Sequence, residues 1–204
     1  MYFSIIIPAY NAENHIRKAL DSVRQQSFED YELIVVCDAC TDNTYEIAKA
    51  YTESVYNVSF HNDGLARNFG LNVAQGRFVL FMDDDDWFLH EFVLDMLNRK
   101  LRTYKSRVDV LCFGFIYAHK GYASPISSRF NSNKRWIAVW NKCWKRKAIG
   151  KTRFPNIERC SDRYFNEEMF EKSLTIIDWD MPLYYYNYLR VGSQTEKANR
   201  RKLV

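Results

Sequence analysis

What most constrains this chain is a set of short, unbroken apolar runs set at intervals along its first 90 residues. "FSIII" (3–7), "ELIVV" (32–36) and "FVLFM" (78–82) show no alternation of polar and apolar positions. Each therefore reads as a strand covered on both faces. Pro8 is expected to end the first. Between the runs the period changes. Ile16, Leu20 and Val23 recur at helical spacing up to about Gln26. In "TDNTYEIAKAY", Ile47, Ala48 and Tyr51 share one face, with Thr41 as the expected N-cap. A weaker strand is expected at 55–60, then a helix from about Leu65 to Ala74 that Gly76 closes. Strands alternating with helices of this length give βαβ units and a largely parallel sheet, an α/β architecture.

In such sheets ligands bind beyond the carboxyl ends of the strands. Three polar clusters stand there: "PAYN" after the first strand, "CDACTDN" after the second and "DDDDW" after "FVLFM". They converge on one edge. Four consecutive aspartates repel one another by about 1 kcal/mol per neighbouring pair near a surface, so a cation is expected among them. All-oxygen donors suit Mg²⁺ or Mn²⁺, which take one or two carboxylates and complete their shells with water or substrate phosphate.

The second half is less regular. A helix is expected at 89–103, a strand at 108–115 and a mobile polar loop at 119–134. Residues 136–149 are apolar and basic, 162–172 read as a short helix and 183–189 as a strand. With no repeat and no linker the chain reads as one domain. Its parts are a regular first half (about 1–88), a less regular second half (about 89–193) and a basic tail (194–204).

Composition removes several classes. With 47% hydrophobic and 26% charged residues, the chain is neither disordered nor membrane-spanning. Its net charge of +4 lies in scattered basic segments, which argues against nucleic acid as a partner. The tail "NRRKLV" suits peripheral contact with an anionic membrane face. No signal peptide is read at the start, and five cysteines without framework spacing suit a reducing compartment, so the expected location is cytoplasmic. "CDAC" (37–40) has no second pair to make a zinc site, so Cys37 reads as a small strand-end residue and Asp38 as the polar group that matters. The four histidines have no ligand spacing, and neither a phosphate-binding GxxxxGK[ST] loop nor a GxSxG elbow occurs. In "NDGLARNFG", Arg67 and Asn68 fall on the first turns of a helix, where an Arg suits a diphosphate.

Taken in order, these motifs resemble glycosyltransferase family 2, the inverting family with the GT-A fold. The likeness is carried by "SIIIPAYNAE", "ELIVVCDACTDNT", "GLARNFGLNVAQGRFVLFMDDDDW" and, more loosely, "WNKCWKRKAI" with "RFPNIERCSDRYF". It implies a nucleotide-sugar donor, a glycan or lipid-linked acceptor and Mg²⁺ or Mn²⁺. Pro8, Tyr10 and Asn11 would shape the nucleotide pocket, and Asp38 would take the uracil N3–H. Arg67 would lie along the donor, Asp83 near the ribose and Asp86 close to the sugar. Asp85 would be the first metal ligand with Asp83 beside it, and Asp162 the general base. Cys37, Ala39 and Cys40 depart from the family's Asp, Gly and Ser, and Ser161 from its Glu, which leaves Glu158, Glu167 and Glu168 as substitute bases. Two other classes share these acids: a non-catalytic nucleotide-sugar binder and a metal-dependent phosphohydrolase or nucleotidyltransferase. Oligomeric state is not legible.

Overall fold

The computed structural model describes residues 1–105, 107–119, 122–131 and 134–188; the basic tail at 194–204 lies outside them. Elements follow in chain order: β1 (Phe3–Ala9), α1 (Ile16–Arg24), β2 (Tyr31–Asp38), α2 (Thr44–Lys49), β3 (Val55–Val58), α3 (Asp63–Val73), β4 (Phe78–Phe81) and β5 (Trp87–Phe88). Then come α4 (Val93–Thr103), β6 (Val110–His119), β7 (Tyr122–Ile126), β8 (Arg129–Asn131), β9 (Lys134–Arg135), β10 (Lys142–Lys145), α5 (Arg146–Ile149), α6 (Ser161–Glu171) and β11 (Ile176–Asn187).

The main sheet runs β3-β2-β1-β4-β10-β6-β11-β5, with β7 added to β6. β1 pairs in parallel with both β2 and β4, β2 with β3, and β6 with β11. β10 is antiparallel to β4 and to β6, so β6 and β11 point the same way as β1 to β4. Every one of these strands therefore ends at the edge that carries the acidic run. The near-continuous apolar strands are explained by cover on both faces. One core lies under α1 and α4, with Ile5, Ile7, Leu20, Val23, Leu97 and Phe113. The other lies under α3 and α6, with Ile6, Val36, Val79, Phe81 and Phe165.

The structure corrects several expectations. Pro8 does not end β1, which continues to Ala9; pairing with β4 stops at Ile6–Phe81, so Pro8 lies where the strand has a single neighbour. Thr41 does not cap α2. The helix begins at Thr44, and Asp42 accepts from both the Thr44 N–H and its hydroxyl. The expected loop at 119–134 contains β7, β8 and β9. β10 pairs with β6 only at residues 110–112, and β7 takes the backbone groups that β10 leaves open at 115–119. β11 begins seven residues earlier than the expected 183, with register breaks around Pro182. Among the described residues no helix is long and apolar enough to cross a membrane.

Candidate active site

The four aspartates after β4 have four different settings. Asp83 Oδ1 accepts from Arg67 Nη2 at 2.7 Å, and its backbone N–H donates to the Tyr184 hydroxyl at 3.1 Å. Asp84 turns to the loop after β1, accepting from the Tyr10 N–H and meeting His15 Nε2 at 3.2 Å. Asp86 is fully buried, with one oxygen on the Tyr184 hydroxyl at 2.8 Å and the other on the Asn187 N–H at 2.8 Å. Asp85 is partly exposed at the tip of the turn. Asp86, which the resemblance sets close to the sugar, has both oxygens engaged out of reach of solvent and ties the acidic turn to β11. Burial, with Asp85 and Asp83 nearby, holds its carboxyl well above the ordinary range.

Arg67 joins the turn to the second half of the chain. It lies on α3, capped by Asn62, whose side chain accepts from the Leu65 N–H. Its guanidinium contacts Asp63 at 2.6 Å, Asp83 at 2.7 Å and Asp162 at 3.3 Å, and the residue is only 4% exposed. Arg67, the residue that the resemblance sets along the donor, thus faces three carboxylates. It is the buried cation of an acidic cluster, and the Phe154 ring lies 5.6 Å from its carbon.

Asp162 sits in the first turn of α6, where a carboxylate suits the helix dipole. Its Oδ2 accepts from the Val139 N–H at 3.1 Å. Burial raises its pKa, with Arg67 opposing and Asp63 adding to the rise. Phe165, almost one turn later, stacks on Phe154 at 4.2 Å and meets Phe81 of β4 edge-on, which aims the start of α6 at the acidic turn. Gly64 makes the approach possible: a Cβ there would lie 3.0 Å from those of Phe154 and Ser161. Ser161 is thus a buried packing residue beside Gly64. Glu158, Glu167 and Glu168 are exposed, and the last two are engaged by Arg163 and Thr152. Of these candidate bases, Asp162 alone joins the cluster.

The loops after β1 and β2 are locked together. Asn11 Oδ1 accepts from the Thr41 N–H at 2.8 Å, Ala12 N–H donates to the Thr44 hydroxyl, and Glu13 and residues 42–43 exchange hydrogen bonds. Asn11, Ala39 and His61 all have positive φ, so backbone strain collects at the three strand ends. Pro8 is buried, whereas Tyr10 is 59% exposed with its ring open to a ligand. Asp38, at 4% exposure, accepts from the N–H groups of Phe60, His61 and Asn62 at 2.5, 2.9 and 2.7 Å. It holds the turn into α3.

Residues not anticipated from sequence are Asp63, Tyr184, Asn187, Lys142 and Asn166. Only Asp63 had a local signal, its four-residue spacing from Arg67. Lys142 is fully buried and donates to the Trp136 and Ala138 carbonyls and to Asn141 Oδ1, fixing the loop that presents Val139 to Asp162. Asn166 steadies the same loop through Ile137 O.

The family model described as "Glycosyl transferase family 2" matches residues 4–163. The chain belongs to that family. It is 31% identical over 216 aligned positions to glycosyltransferase GlyA of Streptococcus pneumoniae, covering 93% of this chain and 31% of GlyA. It is 27% identical to the putative glycosyltransferase EpsH of Bacillus subtilis, covering 90% of this chain and 60% of EpsH. The crystal structure of Staphylococcus aureus TarS 1–349 in complex with UDP-GlcNAc superposes with a TM-score of 0.82 at 25% identity, covering 96% of this chain and 61% of that one. The GT-A arrangement implied by the motifs is thus the observed fold. The chain spans between about a third and three fifths of the length of these relatives.

Proposed function

We propose that this family 2 domain transfers a glycosyl group from a UDP-sugar to a hydroxyl of a glycan or lipid-linked glycan, with inversion, in the synthesis of a cell-surface polysaccharide. The observation that carries this reading is the meeting of Asp83, Arg67 and Asp162 where the parallel strands end. A donor-side turn and a candidate base from a helix 79 residues further on share one cation there. The UDP-GlcNAc complex of TarS supports the choice of donor.

Mg²⁺ or Mn²⁺ fits this site. Burial pushes the Asp83 carboxyl up to about 7; Arg67 opposes the rise, but Asp162 and Asp85 add to it, so the cluster is short of positive charge. Among the described residues no three potential ligands gather as a cage. Asp85 and Asp83 would hold the ion, with the donor diphosphate and water completing its shell. When bound, it supplies the charge that lets the nucleoside diphosphate leave. The chain's own residues do the rest. Tyr10 offers its exposed ring to the base, and the Asp83–Asp86 turn, pinned by Tyr184, fixes the diphosphate side. Asp162 receives the acceptor hydroxyl proton as that oxygen attacks the anomeric carbon from the opposite face. Its raised pKa makes it a stronger base than an ordinary carboxylate, and Arg67 and Val139 hold it in place.

Calorimetric titration of UDP with and without Mn²⁺, on wild type and Asp85→Ala, tests the donor site. Binding that needs both the metal and Asp85 is expected. Equal affinity in all four conditions overturns the metal-dependent reading.

A further inference from the structure

The "CDAC" segment gains a meaning that its sequence did not carry. Cys37 lies within β2, paired with Ala9 of β1 across the sheet. Cys40 follows after Ala39, whose positive φ of 54° folds the chain back. The Cys40 thiol donates to the Ala9 carbonyl at 3.4 Å, beside Cys37, and both cysteines pack against the same core. Ala9 is the β1 partner of Cys37, so the carbonyl that Cys40 contacts belongs to the residue beside Cys37, and the two thiols meet at one corner of that core. Both thiols are free; Cys37 is fully buried and Cys40 is partly exposed. Cys40 therefore lies against the backbone of Ala9, the residue before Tyr10.

We propose that Cys37 and Cys40 form a reversible dithiol–disulfide site that controls donor binding, with a small-molecule disulfide of the glutathione type as oxidant. The accessible Cys40 thiolate attacks one sulfur of the small disulfide, forming a mixed disulfide and releasing one thiolate. The Cys37 sulfur, giving up its proton, then attacks Cys40 Sγ and expels the second. The protein loses two electrons and the small disulfide gains them; the two protons leave with the two small thiols. The division of labour follows the environment. Hydrogen bonding from Cys37 lowers the Cys40 thiol pKa against the effect of burial. The same hydrogen bond and burial push Cys37 far up. A lowered, reachable thiol beside a buried resolving partner is the arrangement that reacts by exchange. Drawing Cys40 onto Cys37 removes its hydrogen bond to the Ala9 carbonyl, so the loop that follows, with Tyr10 and Asn11, loosens. This consequence for binding rests on the donor-site reading above; the thiol chemistry does not.

The test uses the full chain with Cys160→Ser, which removes the exposed cysteine at the start of α6. The protein is treated with oxidised glutathione and analysed by peptide mass mapping, then titrated with UDP and Mn²⁺ before and after reduction by dithiothreitol. A Cys37–Cys40 disulfide is expected, with UDP affinity reduced about tenfold and restored by reductant. With Cys37→Ser added, a mixed disulfide should be trapped on Cys40. Failure to form the 37–40 disulfide under excess oxidant overturns the proposal. A disulfide that leaves UDP affinity unchanged overturns control of the donor site. If the reduced protein binds no UDP at all, the donor reading and the control of binding fall together, while mass mapping still decides the thiol chemistry.

Discussion

Residues 1–88 and residues 89–188 hold the same site by different means. In the first segment, short polar contacts between neighbouring loops do the work: Asn11 with Thr41, Glu13 with Asp42 and Asn43, Asp38 with residues 60–62. In the second, aromatic faces do. Trp140 lies flat on Tyr184 at 4.8 Å, Phe154 on Phe165 at 4.2 Å, and Phe115 meets Trp140 edge-on. Hydrogen bonds fix the loops by direction, whereas stacked rings hold by burying large apolar faces against one another. Arg67 and Tyr184 bridge the two systems, so substitutions at these two residues should disturb both.

The largest effect is expected at Asp162. Asp162→Asn should lower the rate of sugar transfer by about 10²–10⁴ while UDP affinity in Mn²⁺ is kept; a loss of less than tenfold would move the base elsewhere. Next comes Arg67→Met, which leaves Asp63, Asp83 and Asp162 without their shared cation. It should cost about 3–5 kcal/mol in urea unfolding, and hydrogen exchange should rise in both α3 and α6. A rise confined to one helix would show that the two parts are held independently. Tyr184→Phe removes the hydroxyl shared by Asp83 and Asp86 and should cost about 1–3 kcal/mol. Asp38→Asn should cost less, about 1–2 kcal/mol, because an amide oxygen accepts in place of only part of the carboxylate. Its faster exchange should stay at residues 60–62. The smallest effect concerns pH. Burial lowers Lys142 from 10.5 to about 8. Between those values the unfolded chain holds the proton and the folded one does not, so this group's contribution to stability rises with pH across that window. The unfolding free energy of wild type relative to Lys142→Met should climb there; a flat difference would mean that the ammonium stays charged in the fold.

What could be read from the sequence was local. The runs "FSIII", "ELIVV" and "FVLFM" became β1, β2 and β4 because a strand covered on both faces leaves no place for polar alternation. The acidic run was correctly placed at a strand end, and Asp162 and Phe165 correctly on a helix. The exposed strand "YASPI" was missed because its composition is that of a loop. Its backbone pairs only because β6 outruns β10, and Pro125 is tolerated on such an edge. The division of labour among Asp83, Asp84, Asp85 and Asp86 was equally invisible. Four identical side chains differ only through partners such as Tyr10, Tyr184 and Asn187, which stand about 74 to 101 residues away. By itself the sequence determined the strands, the edge where they end and the kinds of group gathered there. Only the tertiary structure decided which of those groups are buried, which face each other and which stay open to a ligand. Charge and hydrogen-bond satisfaction depend on neighbours in space, and chain order does not record them.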